Sequence, residues 1–317
     1  MHSFNPLPVA PPSPCAASLG RLKAVQLEMA NLLETPLVTT DVSLSAIAGR
    51  VLAEPLFRTN SESDPAEPLL AAGTVLRPTH VPLLASLDRA TVRVYERARV
   101  GIMAFGSRAP PKAGSSAATT ATMLSAAVEQ MGGKPFLSAC DLSDACHFLS
   151  SLKALLSAGC SLILVAGTID DQTRAALEQS GALREATNVK EVALEPFGSV
   201  QVARACKAQL VALPSDPEVA YAAFTALVSP LLRALSGQSD ATSPAASALL
   251  IDDRAGQHAT SGPFWVYEQP ALSRCGAARV LRRAGSGLGS IGEATGIAWC
   301  PPDLGCVLPG AVAYISF

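Results

Sequence analysis

The stretch Gln209–Gly237, QLVALPSDPEVAYAAFTALVSPLLRALSG, decides how the rest of the chain is read. Leu210–Leu213 is a short apolar run bounded by turn residues, the pattern of a buried strand. Pro214, Ser215, Asp216 and Pro217 then make a tight loop. A helix pattern takes over, with Val219, Ala223, Ala226, Leu227, Leu231 and Leu235 returning on one face. Asp216 stands in the N-cap position ahead of a proline in the first helical turn, and Gly237 stands where a C-cap belongs. Strand, tight loop and helix N-terminus form the general α/β arrangement for holding an anionic group. The same spacing also serves as an ordinary strand-to-helix connection.

Upstream, from Arg99, strand and helix patterns alternate. Val100–Phe105 is an apolar strand that ends in Gly106, Ser107 and Arg108. A helix follows over Thr119–Met131, then a strand over Phe136–Ala139 and a helix over Ser143–Ser157. Leu162–Val165 is the most apolar strand and runs into Ala166, Gly167, Thr168, Asp170 and Asp171. Val189–Leu194 and Val200–Ala203 complete the strands before Leu210. This alternation predicts an α/β fold with a mostly parallel sheet covered on both faces. Ligands bind such sheets beyond the carboxyl ends of the strands. Those ends carry Gly106–Arg108, Gly167–Asp171 and Pro214–Pro217, so a ligand cleft is expected where the three converge.

The flanks read differently. Residues 1–17, with Pro6, Pro8, Pro11, Pro12 and Pro14, read as a disordered leader. Residues 18–97 read as a small α+β module. It opens with a helix capped by Ser18, continues in short strands, and has a second helix capped by Thr79. Inside it, residues 57–68 (FRTNSESDPAEP) are a polar, proline-bearing loop. The α/β domain spans 98–237, a linker spans 238–247, and 248–317 reads as a small β domain. Its short runs are Ala248–Ile251, Phe264–Tyr267, Ala278–Leu281, Ile297–Cys300 and Ala311–Ile315.

Composition narrows the classes. The 317 residues are 49% hydrophobic, enough to bury large cores, while the net charge of −2 forces no basic face. Nucleic acid is therefore not an expected partner. No run of eighteen apolar residues suggests a membrane span, and no basic-then-apolar leader suggests secretion. Eight cysteines lack C-x-x-C or zinc spacing, which fits free thiols in a reduced cytoplasm. Gly287–Gly292 satisfies G-x-G-x-x-G, but too little chain follows for a βαβ unit, so it reads as a turn of the β domain. The four histidines (2, 80, 147 and 258) have no partners at nucleophile or metal spacing.

The order of these pieces resembles the molybdopterin molybdenumtransferases of the MoeA/gephyrin E-domain type, over most of residues 18–317. TVLRPTHVPLLASLDRATVRVYERARVGIMAFG (74–106) is similar to that family's entry into its binding domain. VALPSDPEVAYAAFTALVSPLLRALSG (211–237) is similar to its segment around Leu-Pro-Gly-Asn-Pro, and GSGLGSIGEATGIAWCPPDLGCVLPGAVAYISF (285–317) to its C-terminal β domain. The resemblance implies a molybdopterin-binding, MogA-like α/β core. It also implies insertion of molybdenum from molybdate into adenylated molybdopterin with Mg2+, release of AMP, and a homodimer with the N-terminal module packed on the partner's core. On matching positions, Gly106, Ser107, Arg108, Gly167, Thr168, Pro214, Ser215, Asp216 and Pro217 would hold the molybdopterin; Asp170 and Asp171, after the Ala-Gly-Thr turn, are the carboxylates left to hold the metal, and they also read as solvated residues that start a helix.

Departures from the family pattern give the reading a direction. The family's Thr-Gly-Asp-Glu turn is matched by Phe105-Gly106-Ser107-Arg108, without carboxylates. Its Ser-Gly-Gly-Val-Ser turn is matched by Val165-Ala166-Gly167-Thr168-Ile169, and its Asp-x-Asn helix opening by Ala118-Thr119-Thr120. Its Lys-Pro-Gly-Lys-Pro stretch becomes Glu195-Pro196-Phe197-Gly198-Ser199, and Leu-Pro-Gly-Asn-Pro becomes Leu213-Pro214-Ser215-Asp216-Pro217. The inserted domain is missing, with only residues 57–68 in its place. A bound pyrophosphate needs cations or a row of free amides, and two lysines are gone while Glu195 and Asp216 add negative charge. Two readings follow. One is a molybdenum cofactor biosynthesis protein with weakened or lost insertion activity. The other is a non-catalytic dimeric relative that binds or scaffolds in molybdoenzyme maturation or regulation, with a molybdoenzyme or cofactor-pathway protein as partner.

Overall fold

Helix α1 (Pro14–Asn31) begins ahead of Ser18, so the chain enters helix through Pro14 rather than through a serine cap. This is the computed structural model of the chain, and the residues described are 14–31, 37–57, 68–105, 116–138, 145–169, 171–179, 190–194, 198–239, 245–251, 264–268, 279–283, 292–299 and 310–316. Most of the expected leader, 1–13, lies outside them, as do residues 58–67 and 240–244. The chain forms two compact units, Val25–Ser243 and Met1–Ala24 with Pro244–Phe317.

In the larger unit, β1 (Thr39–Ser43) and β2 (Thr91–Tyr95) pair antiparallel, with Val42 opposite Val92. Isolated bridges join Val51 to Val75, Leu52 to Val94 and Leu56 to Leu70. Ile47, Leu52, Leu76, Leu84, Val92 and Val94 form the small core that results. Helix α2 (Val81–Ser86) is led in by a 3-10 turn at Pro78–His80, in which Arg77 N donates to His80 Nδ1. That turn takes the place of the expected Thr79 cap. Leu56 N donates to Leu70 O at 2.9 Å, and Leu69 N to Leu56 O at 2.8 Å. These bonds clamp the two ends of the 57–69 excursion together.

The sheet is built from β3 (Arg99–Ala104), β4 (Lys134–Leu137), β5 (Leu162–Ala166), β6 (Lys190–Leu194), β7 (Gly198–Ala205) and β8 (Ala208–Leu213). Its order is β4-β3-β5-β8-β7-β6, with β4, β3, β5 and β8 parallel. Every residue of β5 and β8 is buried, which is why both read as uninterrupted apolar runs. β7 and β6 run antiparallel. The β7–β8 turn is Cys206-Lys207, with Cys206 at φ 55. Two-residue hairpins favour glycine or asparagine at such a position, so the sequence carried no sign of this reversal.

Helices cover both faces. α4 (Ala145–Ser157) sets Phe148, Leu152 and Leu155 against Met103, Phe105, Ile163, Val165 and Leu210, and α5 (Asp171–Gln179) packs beside it. Phe105 meets Phe148 edge to face at 5.7 Å. α3 (Ser116–Gln130) lies on β3, β4 and β5 and against α6 (Pro217–Leu235). α6 carries a π turn over Phe224–Val228. It ends as the sequence reads: Gly237 has φ 74, Gly237 N donates to Ala234 O, and Gln238 N donates to Arg233 O. A side chain on Gly237 would collide with the Tyr95 ring, and Ser239 N donates to Gly73 O. The N-terminal module thus rests on the core of its own chain through these contacts.

At 19 residues and mean hydropathy 1.3, α6 is the one helix among the described residues long and apolar enough to cross a membrane. Of its window, 72% is buried inside the fold, the position of a core helix.

The second unit contains a closed barrel of β9 (Ala245–Ile251), β10 (Phe264–Glu268), β11 (Arg279–Arg283), β12 (Gly296–Trp299) and β13 (Gly310–Ser316), in the order β10-β11-β9-β13-β12. β10 pairs with β12 to close it, and only β9 and β11 are parallel. Val266, Leu281, Ile297, Trp299, Val312 and Tyr314 are buried. The five strand-like runs read from sequence are these five strands, and closure removes the edges that an open small sheet would leave. β9 begins at Ala245, inside the expected linker.

Candidate functional site

The carboxyl ends of β3, β5 and β8 lie side by side, with Ala104 paired to Ala166 and Ala166 to Leu213. Phe105 N donates to Ala166 O at 2.8 Å, and Gly167 N to Leu213 O at 2.8 Å. The sheet ladder therefore continues into the loops and occupies these two amides. Gly167 is buried at φ 127, and a Cβ on it would stand 2.2 Å from Phe105 O. Its lack of a side chain is demanded by that carbonyl, so strand packing alone explains the glycine.

The rest of this loop is held from β7. Gln201 is buried, its Oε1 accepts from Ile169 N at 2.8 Å, and its Nε2 donates to Ile169 O at 3.3 Å. One side-chain amide satisfies both backbone groups of Ile169, which is itself buried. Thr168, between them, is exposed.

The loop after β8 is fixed by a charge and a hydroxyl. Asp216 Oδ1 accepts from Glu218 N at 3.0 Å and from Val219 N at 3.1 Å, capping α6. Thr120, fully buried in α3, donates from Oγ1 to Ser215 O at 2.7 Å. Pro214 and Pro217 are half-buried, while Ser215 and Asp216 are exposed. The α6 N-terminus already holds an anion, the Asp216 carboxylate, on the amides that would face a phosphate.

Of the residues expected to hold molybdopterin, the structure brings Gly167, Thr168, Pro214, Ser215, Asp216 and Pro217 to one edge of the sheet. Gly106, Ser107 and Arg108 follow β3 but lie outside the described residues. So do Glu195–Phe197 and, of the two metal candidates, Asp170. Asp171 opens α5 with its side chain 95% exposed and pairs with Arg174 at 3.5 Å. Among the described residues no three His, Cys, Asp or Glu side chains come together. Mg2+ wants several oxygen ligands in a fixed geometry, and of the two candidates the described residues include only Asp171, a solvated carboxylate paired with Arg174. Sequence reading missed Gln201 and Thr120. Thr120 sits in a helix opening that the sequence does single out, but nothing local marks Gln201, whose partner is 32 residues away.

No protein-family model matches the sequence, and neither does any curated protein. Solved structures do match. A molybdenum cofactor biosynthesis protein from Pyrococcus furiosus shares 20% identity at TM-score 0.64, covering 93% of this chain and 98% of that one. A molybdopterin biosynthesis moeA protein from Pyrococcus horikoshii shares 16% at TM-score 0.64, covering 93% and 99%. A second moeA structure from the same source shares 14% at TM-score 0.68, covering 93% and 98%. With a mostly parallel α/β core, a small antiparallel module and a C-terminal barrel, this chain has the fold of the moeA molybdopterin biosynthesis proteins.

Proposed function

We propose that this protein acts in molybdenum cofactor biosynthesis, as a relative of the molybdopterin molybdenumtransferases whose insertion of molybdenum is weakened or lost. Fold likeness to the moeA structures supports the pathway. The observation that carries the loss is the Asp216 carboxylate seated on the α6 amides. A phosphate approaching that terminus would meet a negative charge and occupied donors. Gly167 N, Phe105 N and Ile169 N are likewise bonded within the protein. Molybdopterin remains the ligand class that the fold favours, and its adenylated form is the one most weakened. In this reading molybdate and Mg2+ are not handled productively.

A homodimer belongs to the proposal. Phe57 and Leu69, neighbours across the Leu56–Leu70 bridge, stay 50% and 39% exposed, and Val38 56%. Those apolar side chains on the small module suit association with a second copy. The second reading, a dimeric scaffold for molybdoenzyme maturation or regulation, shares these features and differs only in lacking any turnover.

The test is complementation of cells that lack their own insertion enzyme, with the chain at normal expression. The expected result is no rescue. Rescue that disappears in Asp170→Ala or Asp216→Ala would restore the enzyme reading.

A further inference from the structure

Helix α1 buries one polar side chain on its apolar face. Leu22, Gln26 and Met29 are buried on one face, with Gln26 4% exposed, while its neighbour Leu27 is 64% exposed. Leu22 and Met29 set the apolar face of the helix, and hydrophobicity alone would place an apolar residue, not an amide, between them. Gln26 Nε2 instead donates to Ala226 O at 2.6 Å. Ala226 lies in the π turn of α6, and Pro230 follows it by four residues. Proline has no N–H, and in α register the missing donor is the one that would have served Ala226. Ser229 N reaches back to Phe224 O, the wider spacing of a π turn.

We propose that Pro230 and Gln26 form a register lock. Pro230 opens a buried acceptor in the core helix, and the Gln26 amide is the donor that fills it. A slip of α1 by one turn, about 5.4 Å, would leave the buried Gln26 amide without this acceptor and take from Ala226 O the donor that Gln26 supplies. A rotation that buried Leu27 would carry Gln26 away from Ala226 and expose Leu22 and Met29. A single buried polar group on an apolar seam specifies alignment in this way at some cost in stability. The two compact units divide at Ala24 and Val25, so Gln26 stands in the first turn of α1 that belongs to the larger unit. The lock sets where that segment is anchored.

The test is a double-mutant cycle read by amide hydrogen exchange over residues 25–30. Gln26→Leu in the native background is expected to speed exchange about tenfold to a hundredfold, the effect of losing a buried hydrogen bond to that carbonyl. Pro230→Ala supplies a helix N–H to Ala226. In that background Gln26→Leu should change exchange less than about threefold. Equal effects in both backgrounds, or none in the native one, would overturn the proposal. If Gln26→Leu alone fails to fold, the double variant is expected to fold. Failure of both would also overturn it.

Discussion

The loops after β5 and β8 occupy equivalent places on the sheet edge and are held shut by different chemistry. The first is closed by a neutral amide, Gln201, on both backbone groups of Ile169, and by the close approach of Gly167 to Phe105. The second is closed by an ionised side chain, Asp216, on two helix amides, with Thr120 pinning Ser215. Breaking the first should cost stability without changing charge. Breaking the second should cost little stability and change what the edge attracts. The comparison separates what the fold requires from what the ligand would feel.

The largest expected effect is Gly167→Ala, where a Cβ 2.2 Å from Phe105 O and a φ of 127 combine clash with strain. A loss of about 3 kcal/mol or more in chemical denaturation is expected. A loss under about 1 kcal/mol would show that the loop yields easily. Next is Gln201→Leu, which leaves Ile169 N and O without their partner, and it should cost about 2–4 kcal/mol. If Gln201→Leu were neutral, the clamp would be incidental. Asp216→Ala should cost about 1 kcal/mol, the usual worth of an N-cap. Asp216→Asn keeps a good cap and should cost only a few tenths, about 0.3 kcal/mol. Its distinguishing effect lies in binding: it removes the charge, so affinity for inorganic pyrophosphate should rise relative to the parent. Unchanged or weaker pyrophosphate binding would dissolve the contrast between the two loops.

A further difference separates buried from exposed thiols. Burial pushes the Cys160 thiol up to about 11, and its contribution to stability is complete below the ordinary thiol range, about 9. As pH rises from there through 11, ionisation works against the buried state, so stability should fall in that window. Cys146 and Cys206 are exposed. They should react with a thiol reagent at neutral pH in the native protein, while Cys160 should not. Rapid labelling of Cys160 would contradict its place in the core.

The strands were legible because burial on both faces writes itself as an apolar run. Leu162–Val165 and Leu210–Leu213 fall within β5 and β8. The ends of α6 were legible because Asp216, Pro217 and Gly237 have strong local preferences, and each occupies its expected position. The starts of α1 and α2 were not. Pro14 opens α1 ahead of the better capping residue Ser18, and the turn at Pro78–His80 replaces the Thr79 cap. The hairpin at Cys206 carried no turn residue, and Gln201 looks like any strand glutamine until the loop folds over it. Long-range partners decide these features. At the candidate site, the absence of lysine from Glu195–Ser199 and the presence of Asp216 could be read from the chain. The occupation of the amides by Asp216 and Gln201 needed the fold.

The most direct measurement is calorimetric titration of the purified full chain with adenylated molybdopterin in the presence of Mg2+. A charge-assisted contact is worth about 1.5–3 kcal/mol, so under the proposed loss of several, affinity should fall by orders of magnitude. No saturable binding is expected up to about 100 μM ligand. Saturable binding at about 1 μM or tighter, weakened by Asp216→Ala, would contradict it.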